Sequence, residues 1–384
     1  GSAGISYKNY LFLDFTGRND WSSALTLPED LKAFGNENNS YFYSSVALSA
    51  VISDMVNLPK PISYLKLRGS FAQVGNDTDP FAFTQTYNRS EPFGSSQIYG
   101  ETSSLANLNL KPEISSAYEF GTEIRFWGNR VGLDVTYYQS RTKNQILNIP
   151  LSNTSGYSTR KINAGLIKNY GVEVMVNASP IRAEKFTWDT YINFSANRST
   201  VLELAEGLTN YVMASRSVSV EARVGERMGD LYGIGFARVQ SSDPNAPYYD
   251  AKGQYTGQMV FGANGRPIAT TNVMKLGNYN PDFLIGIGNS FNYKGVRLSF
   301  LFDIRKGGVL YSQTQTVGRE GGIIEETLYG RADGYDLSKE GNGVIGDGVV
   351  QNPDGSFSPN TKKVGVREWH TAWTAGRRIA EGVM

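Results

Sequence analysis

The chain has 384 residues, with 37 Lys and Arg against 36 Asp and Glu, no cysteine, and a mean hydropathy of -0.34. Near-neutral charge gives no reason to expect nucleic acid as a partner, and the missing cysteines exclude disulfides and thiolate metal sites. No apolar run approaches the ~20 residues of a membrane-spanning helix, but a spanning strand needs only ~9–11 residues, every second one facing lipid.

Period-2 patterning dominates from the start and places the chain in the all-β class. Leu11, Phe12, Leu13, Asp14, Phe15 and Thr16 open it, with apolar odd positions, and Val46, Leu48, Ala50 and Ile52 form a second apolar face. Leu65, Leu67, Gly69 and Phe71 oppose Lys66, Arg68 and Ser70. Tyr118, Phe120, Thr122, Ile124 and Phe126 oppose Glu119, Gly121, Glu123 and Arg125. Val131, Leu133, Val135 and Tyr137 oppose Gly132, Asp134 and Thr136. Val172, Val174 and Val176 oppose Glu173 and Asn177, and Trp188, Ile192 and Phe194 oppose Asp189 and Asn193. Phe283, Ile285, Ile287 and Phe291 precede Val296, Leu298, Phe300, Phe302 and Ile304, which oppose Arg297, Ser299, Asp303 and Arg305. The pattern predicts about nine to eleven strands and no competing amphipathic helix.

The connections decide between a soluble sandwich and a membrane barrel. Tight ones are expected at 57–61, 128–130, 179–185 and 293–295, and long ones at roughly 17–40, 75–113, 146–165, 200–280 and 306–384. Short and long alternate, as in an up-and-down outer-membrane barrel; Greek-key crossovers would mix the lengths. The apolar faces carry no charge, whereas Arg or Lys against mid-bilayer lipid costs ~2–4 kcal/mol. Glu119, Glu123, Arg125, Asp134, Arg297, Asp303 and Arg305 fall on the other side and are the candidate lumen-facing residues. Tyr7-Lys8-Asn9 looks like the turn Tyr293-Lys294-Gly295, and no strand is visible after the last long connection, so both ends read as cuts through a larger barrel.

At several places the sequence resembles the SusC/RagA branch of the TonB-dependent outer-membrane transporters. The segment from Tyr10 through Asp14-Phe15-Thr16-Gly17-Arg18-Asn19-Asp20-Trp21 to Ser23 is similar to a family signature, as is Leu65 through Phe71 followed by Val74-Gly75-Asn76. Asn107 to Pro112 with Glu113, Asn129 to Lys143, Asn163-Ala164-Gly165, Asn169 to Glu173, Val224 to Arg227 and Asn280 to Phe283 follow in family order. The resemblance implies a barrel of about 22 strands with an N-terminal plug, in the outer membrane of a Gram-negative bacterium. It also implies TonB as the energy source, a SusD-like surface lipoprotein as partner, and oligosaccharides or peptides as cargo. Neither plug nor TonB-contacting segment is recognisable here. A soluble, surface-exposed glycan-binding module is the second reading.

Catalysis is not expected. Glu119 and Glu123 lie four apart on one strand face, where solvated carboxylates are ordinary, and nothing in the sequence makes them converge across a cleft. The only histidine, His370, leaves histidine-based metal or triad chemistry without material, and no cofactor is implied. Asp333, Asp336, Asp347 and Asp354 sit in a glycine-rich stretch; calcium is one reading, but EF-hand spacing is absent and Asp-Gly turn chemistry fits better. Tyr157, Tyr211, Tyr232, Trp369 and Trp373 are candidate loop aromatics for ligand or partner contact, against the ordinary alternative of loop packing.

Overall fold

The computed structural model of the chain describes residues 1–216, 218–332 and 336–374. The alternating segments become ten long strands: β1 (Ser2–Tyr7), β2 (Leu11–Trp21), β3 (Ser40–Val51), β4 (Ile62–Asn76), β5 (Glu113–Phe126), β6 (Val131–Lys143), β7 (Leu166–Arg182), β8 (Phe186–Glu203), β9 (Phe283–Tyr293) and β10 (Val296–Lys306). They form one sheet whose spatial order is the chain order, every neighbour antiparallel. Short connections (8–10, 52–61, 127–130, 183–185 and 294–295) therefore gather at one end, and long ones (22–39, 77–112, 144–165 and 204–282) at the other.

Local chemistry fixes the tightest turns. Lys8 and Asn9 have φ of 48° and 58°, and Lys294 and Gly295 have 47° and 88°. Two successive left-handed residues at the centre of a turn match the right-handed twist of the flanking strands; 294–295 is a two-residue hairpin loop, and 8–10 adds Tyr10, whose N–H donates back to the Tyr7 carbonyl.

Several boundaries differ from the sequence expectation; the turn expected at 179–185 is only 183–185, because β7 runs on to Arg182, and the connection expected from 200 begins at 204, because β8 runs on to Glu203. The first long connection begins at 22, not 17, because β2 continues through Gly17, Arg18, Asn19 and Asp20. These residues pair with Ser44 back to Tyr41, and the Tyr43 hydroxyl donates to Asp20 at 2.5 Å. A ladder needs only backbone groups, so it extends past the point where apolar alternation stops. The connection before β4 is ten residues, 52–61, and includes a single turn of 3-10 helix, Ile52–Asp54.

The chain divides into two compact units. The first comprises residues 1–211, 222–228 and 281–307 and contains the large sheet. Beyond the long-connection end of that sheet, Leu25, Leu27, Ala82, Phe83 and Leu110 are buried together, with Tyr41, Leu108 and Ile146 packed against them. Three long connections thus share a small core.

The second unit comprises 212–221, 229–280 and 308 onward. The sequence reading treats most of this as loop, but it carries its own framework. Strand Asp230–Gly233 pairs with Met274–Asn278, and Val260–Phe261 pairs in parallel with Val349 and Val350. Ala237, Val239, Val260 and Val349 form one core cluster, and Phe236, Met259 and Phe261 another. Helices α1 (Gln313–Gly321) and α2 (Val366–Thr374) belong to this unit. Helix α2 falls where the sequence pattern predicts a long connection. Its period is readable in retrospect, since Val366, Trp369, His370 and Trp373 recur at i, i+3, i+4 and i+7.

Candidate functional site

Directly opposed residues of antiparallel strands point to the same side, so the register shows which side chains share a face. One row crosses all ten strands: Tyr7, Leu11, Ala50, Leu67, Thr122, Val135, Val174, Phe194, Ile285 and Ile304. It contains no charge. Toward the short turns the same face becomes aromatic. Trp188 stacks on Phe291 at 5.6 Å, Phe186 lies 6.3 Å from Phe291, and Tyr293 follows on β9. Tyr7 meets Tyr10 edge-on at 5.7 Å, and Phe126 lies 5.6 Å from Trp127.

The opposite face carries the charges, with few large apolar side chains, Met175, Leu284 and Leu301 among them. One row runs Lys66, Glu123, Asp134, Met175, Asn193, Gly286 and Asp303; the next runs Arg68, Gly121, Thr136, Glu173, Ser195, Leu284 and Arg305. Glu119 and Arg125 alternate in phase with Glu123, and Arg297 is in phase with Asp303. All seven charged residues singled out from the sequence therefore share this face. Two concavities open on it. One of about 980 Å³ is bordered by Glu123, Arg125, Asp134, Tyr191 and Arg297 among others. One of about 640 Å³ is bordered by Arg68, Glu119, Asp134, Tyr138 and Glu173. Asp303 and Arg305 border neither but lie beside Gly286 and Leu284 at the edge of the second.

The best-organised group on the polar face centres on Arg68, which the sequence reading left out of its candidate residues. From β4 its guanidinium spans β5 to reach β6, donating to both Asp134 carboxylate oxygens at 2.9 and 2.6 Å and to Thr136 Oγ1 at 2.5 Å. Gly121 of β5 makes this possible, because a side chain there would collide with the guanidinium. Bidentate guanidinium–carboxylate geometry is the strong form of such a pair.

Glycine serves tyrosine similarly: the Tyr191 ring lies across Gly288, and Tyr138 lies across Gly171. Asn197 donates to the Tyr138 hydroxyl at 2.8 Å. Near the short turns Arg125 pairs with Glu123 at 2.6 Å and sits 4.9 Å from the Tyr64 ring centre. Arg297 donates to Ser290 at 3.0 Å, and Arg182 to Ser179 at 2.8 Å.

The five loop aromatics are divided between the two units. Tyr157 is half-buried in the first unit, and its hydroxyl donates to Glu101 at 2.8 Å. The Glu101 carboxylate raises the Tyr157 pKa above the ordinary phenol value. Tyr211 is also half-buried. Tyr232 is only 1% exposed within the second unit, so it is a core residue and not a platform for ligand. Trp369 stands on helix α2 and stacks on Phe261 at 6.2 Å with the rings 7° apart. The Trp373 side chain lies outside the described residues.

Asp336 and Asp354 each accept the backbone N–H and the hydroxyl of the serine two positions on, Ser338 and Ser356. Those bonds hold both carboxyl pKa values below the usual range. This is local turn chemistry. Asp333 lies outside the described residues. Among the described residues no group of three or more carboxylates or histidines is arranged to hold a metal ion.

Residues 1–300 match the family described as TonB dependent receptor-like, beta-barrel. TonB-dependent receptor P26 of Formosa agariphila is 26% identical over 327 residues, covering 81% of this chain and 32% of that protein. TonB-dependent receptor SusC of Bacteroides thetaiotaomicron is 26% identical over 326 residues, covering 78% of this chain and 30% of that protein. Among solved structures, the RagAB peptide transporter matches with a TM-score of 0.69 at 19% identity, over 90% of this chain and 38% of that one. The chain spans about a third of the length of the relatives it matches.

Proposed function

Because the chain belongs to the TonB-dependent receptor β-barrel family, we propose that its large sheet is part of the wall of an outer-membrane nutrient importer in a Gram-negative bacterium. One observation carries this reading above the rest: a row ten strands wide, in register, with no charge on its face. Water makes no such demand on an exposed surface; hydrocarbon does. The polar face then borders the lumen, where Glu119, Glu123, Arg125, Asp134, Arg297, Asp303 and Arg305, with Arg68, shape the path of the cargo.

The work is carriage, not bond-breaking. Cargo too large for passive diffusion, an oligosaccharide or a peptide, is captured at the long-connection end, where a SusD-like lipoprotein closes over the mouth. TonB supplies the energy through another part of the transporter. The Arg68–Asp134 pair, braced across three strands, keeps two opposite charges at fixed positions on the wall. It does so while presenting little net field to a passing solute.

The chain's lack of cysteine permits a direct test. Single cysteines are placed by Phe194→Cys and Asn193→Cys in the native outer membrane, and each carries a nitroxide. The reading expects collision with oxygen to dominate at 194 and collision with a water-soluble nickel chelate to dominate at 193. A soluble glycan-binding module puts both labels in water, and that result would sink the proposal.

A further inference from the structure

The short-turn end of the sheet carries a charge pattern that neither the strands nor the cargo path requires. Each of the five short connections holds one cation: Lys8, Lys60, Arg130, Lys185 and Lys294. Only two acids, Asp54 and Glu184, lie in the same connections. All five cations are exposed, and none makes an ion pair with a carboxylate among the described residues. Arg130 uses one guanidinium nitrogen on the Pro180 carbonyl at 3.1 Å and leaves its charge unmatched.

Two of the lysines are also placed. Lys8 Nζ lies 5.3 Å from the Tyr7 ring centre, and Lys294 Nζ lies 5.3 Å from that of Tyr293. Both rings stand on the apolar face at its turn-side margin, and both are about half exposed. An aromatic ring at the edge of an apolar band, with an ammonium directly beyond it, matches the depth profile of a bilayer: acyl chain, interface, phosphate. On that profile the cations stand at the height of the lipid headgroups.

We propose that this rim is a docking surface for anionic phospholipid headgroups, with the five cations gripping phosphate and the aromatic belt setting the depth. The inference rests on the membrane reading above. Its argument is charge complementarity: five cations without a carboxylate partner, one in each short connection along one end of the sheet and next to a face without charge, fit a sheet of anions bordering hydrocarbon. A peptide or soluble partner gives no reason for one cation per turn, since the turns are spread along the whole edge of the sheet.

The test uses the native outer-membrane assembly returned to bilayers of phosphatidylcholine containing about a third phosphatidylglycerol. Spin-labelled lipids of each headgroup report the shell immobilised on the protein. Phosphatidylglycerol is expected to be enriched severalfold over phosphatidylcholine, and added salt is expected to lower the enrichment. The variant Lys8→Gln, Lys60→Gln, Arg130→Gln, Lys185→Gln, Lys294→Gln should bring the two lipids to parity. The charge-keeping variant Lys8→Arg, Lys60→Arg, Lys185→Arg, Lys294→Arg should retain the preference. Equal association of both lipids with the unaltered protein overturns the proposal and leaves the membrane reading standing, as does undiminished preference in the glutamine variant. No immobilised shell of either lipid would remove both. Should the five-fold variant fail to assemble, Lys185→Gln with Lys294→Gln alone must still reduce the enrichment, or the proposal falls.

Discussion

The large sheet and the second unit use the same apolar residues under opposite conditions. On the sheet, Phe120, Leu298 and Phe302 are 59%, 62% and 57% exposed to whatever surrounds the wall. In the second unit, Val260, Phe261 and Val349 are 0%, 1% and 0% exposed, hidden by their own chain. Leaving a large apolar side chain in water forgoes ~1.5–3 kcal/mol of burial. On the membrane reading proposed above, hydrocarbon replaces water over such side chains. The second unit needs no such help, because residues from 236–261 and 349–369 meet to exclude water. Its folding is ordinary aqueous folding.

The sharpest way to break the comparison is to damage each region in the currency it depends on. In the second unit, Asp230 is fully buried, pairs with Lys275 and accepts from Asn278 at 2.8 Å. Asp230→Ala deletes a fully buried carboxylate and its two charge-assisted bonds, and should destabilise the unit by ~2–4 kcal/mol, since the Lys275 side chain is 47% exposed and stays hydrated. Hydrogen exchange over 230–278, read by mass spectrometry on the native assembly, is the check, and exchange over β4–β6 should not change. On the sheet, Val174→Arg should cost ~2–4 kcal/mol against lipid. Met175→Arg, one residue on but facing the concave side, should stay within about half a kcal/mol. Unfolding of each variant from lipid vesicles measures the difference. Equal penalties at 174 and 175 would mean that the two faces see the same solvent.

The sheet was more legible in the sequence than the second unit, and the reason is physical. Alternation such as Val172-Glu173-Val174-Met175-Val176 states period and facing in the same five residues. Short turns such as Tyr293-Lys294-Gly295 set which strands are neighbours. Register then follows, and the charged residues of one face assemble without further information. The second unit has strands of two to five residues, Val260–Phe261 and Val349–Gln351 among them, joined across nearly ninety positions. Such pairings are set by tertiary packing, which local pattern does not encode. Tyr232 illustrates the cost: in sequence it is one more tyrosine beside glycine, and only the folded unit shows it buried. Arg68 was legible as a polar-face residue. Its reach over Gly121 to Asp134 was not, because pattern and register give the face of a side chain and not how far it extends across the neighbouring strand.

The smallest expected effect concerns His370, on α2 of the second unit. Burial lowers its pKa from the ordinary imidazole value; Glu326 opposes this, while Arg319 and Arg331 reinforce it. The sign follows from where the proton goes. Above about pH 7 the ring is neutral in the folded and unfolded chain alike and contributes no pH dependence. As pH falls through ~6.5 the unfolded chain takes up a proton that the folded unit resists, so stability declines with falling pH until the folded pKa is passed. One proton sets a ceiling of about 1.4 kcal/mol per pH unit. His370 is the only histidine in the chain, and Glu326, Asp336 and Asp354 are held below the usual carboxylate range. Their titration therefore falls below the window of about pH 5.5–7. Thermal unfolding of the second unit across that window should show a shallow loss of stability toward acid, and His370→Gln should flatten it. A slope that survives the substitution would assign the dependence to carboxylates and would mean that the imidazole is solvated in the folded protein.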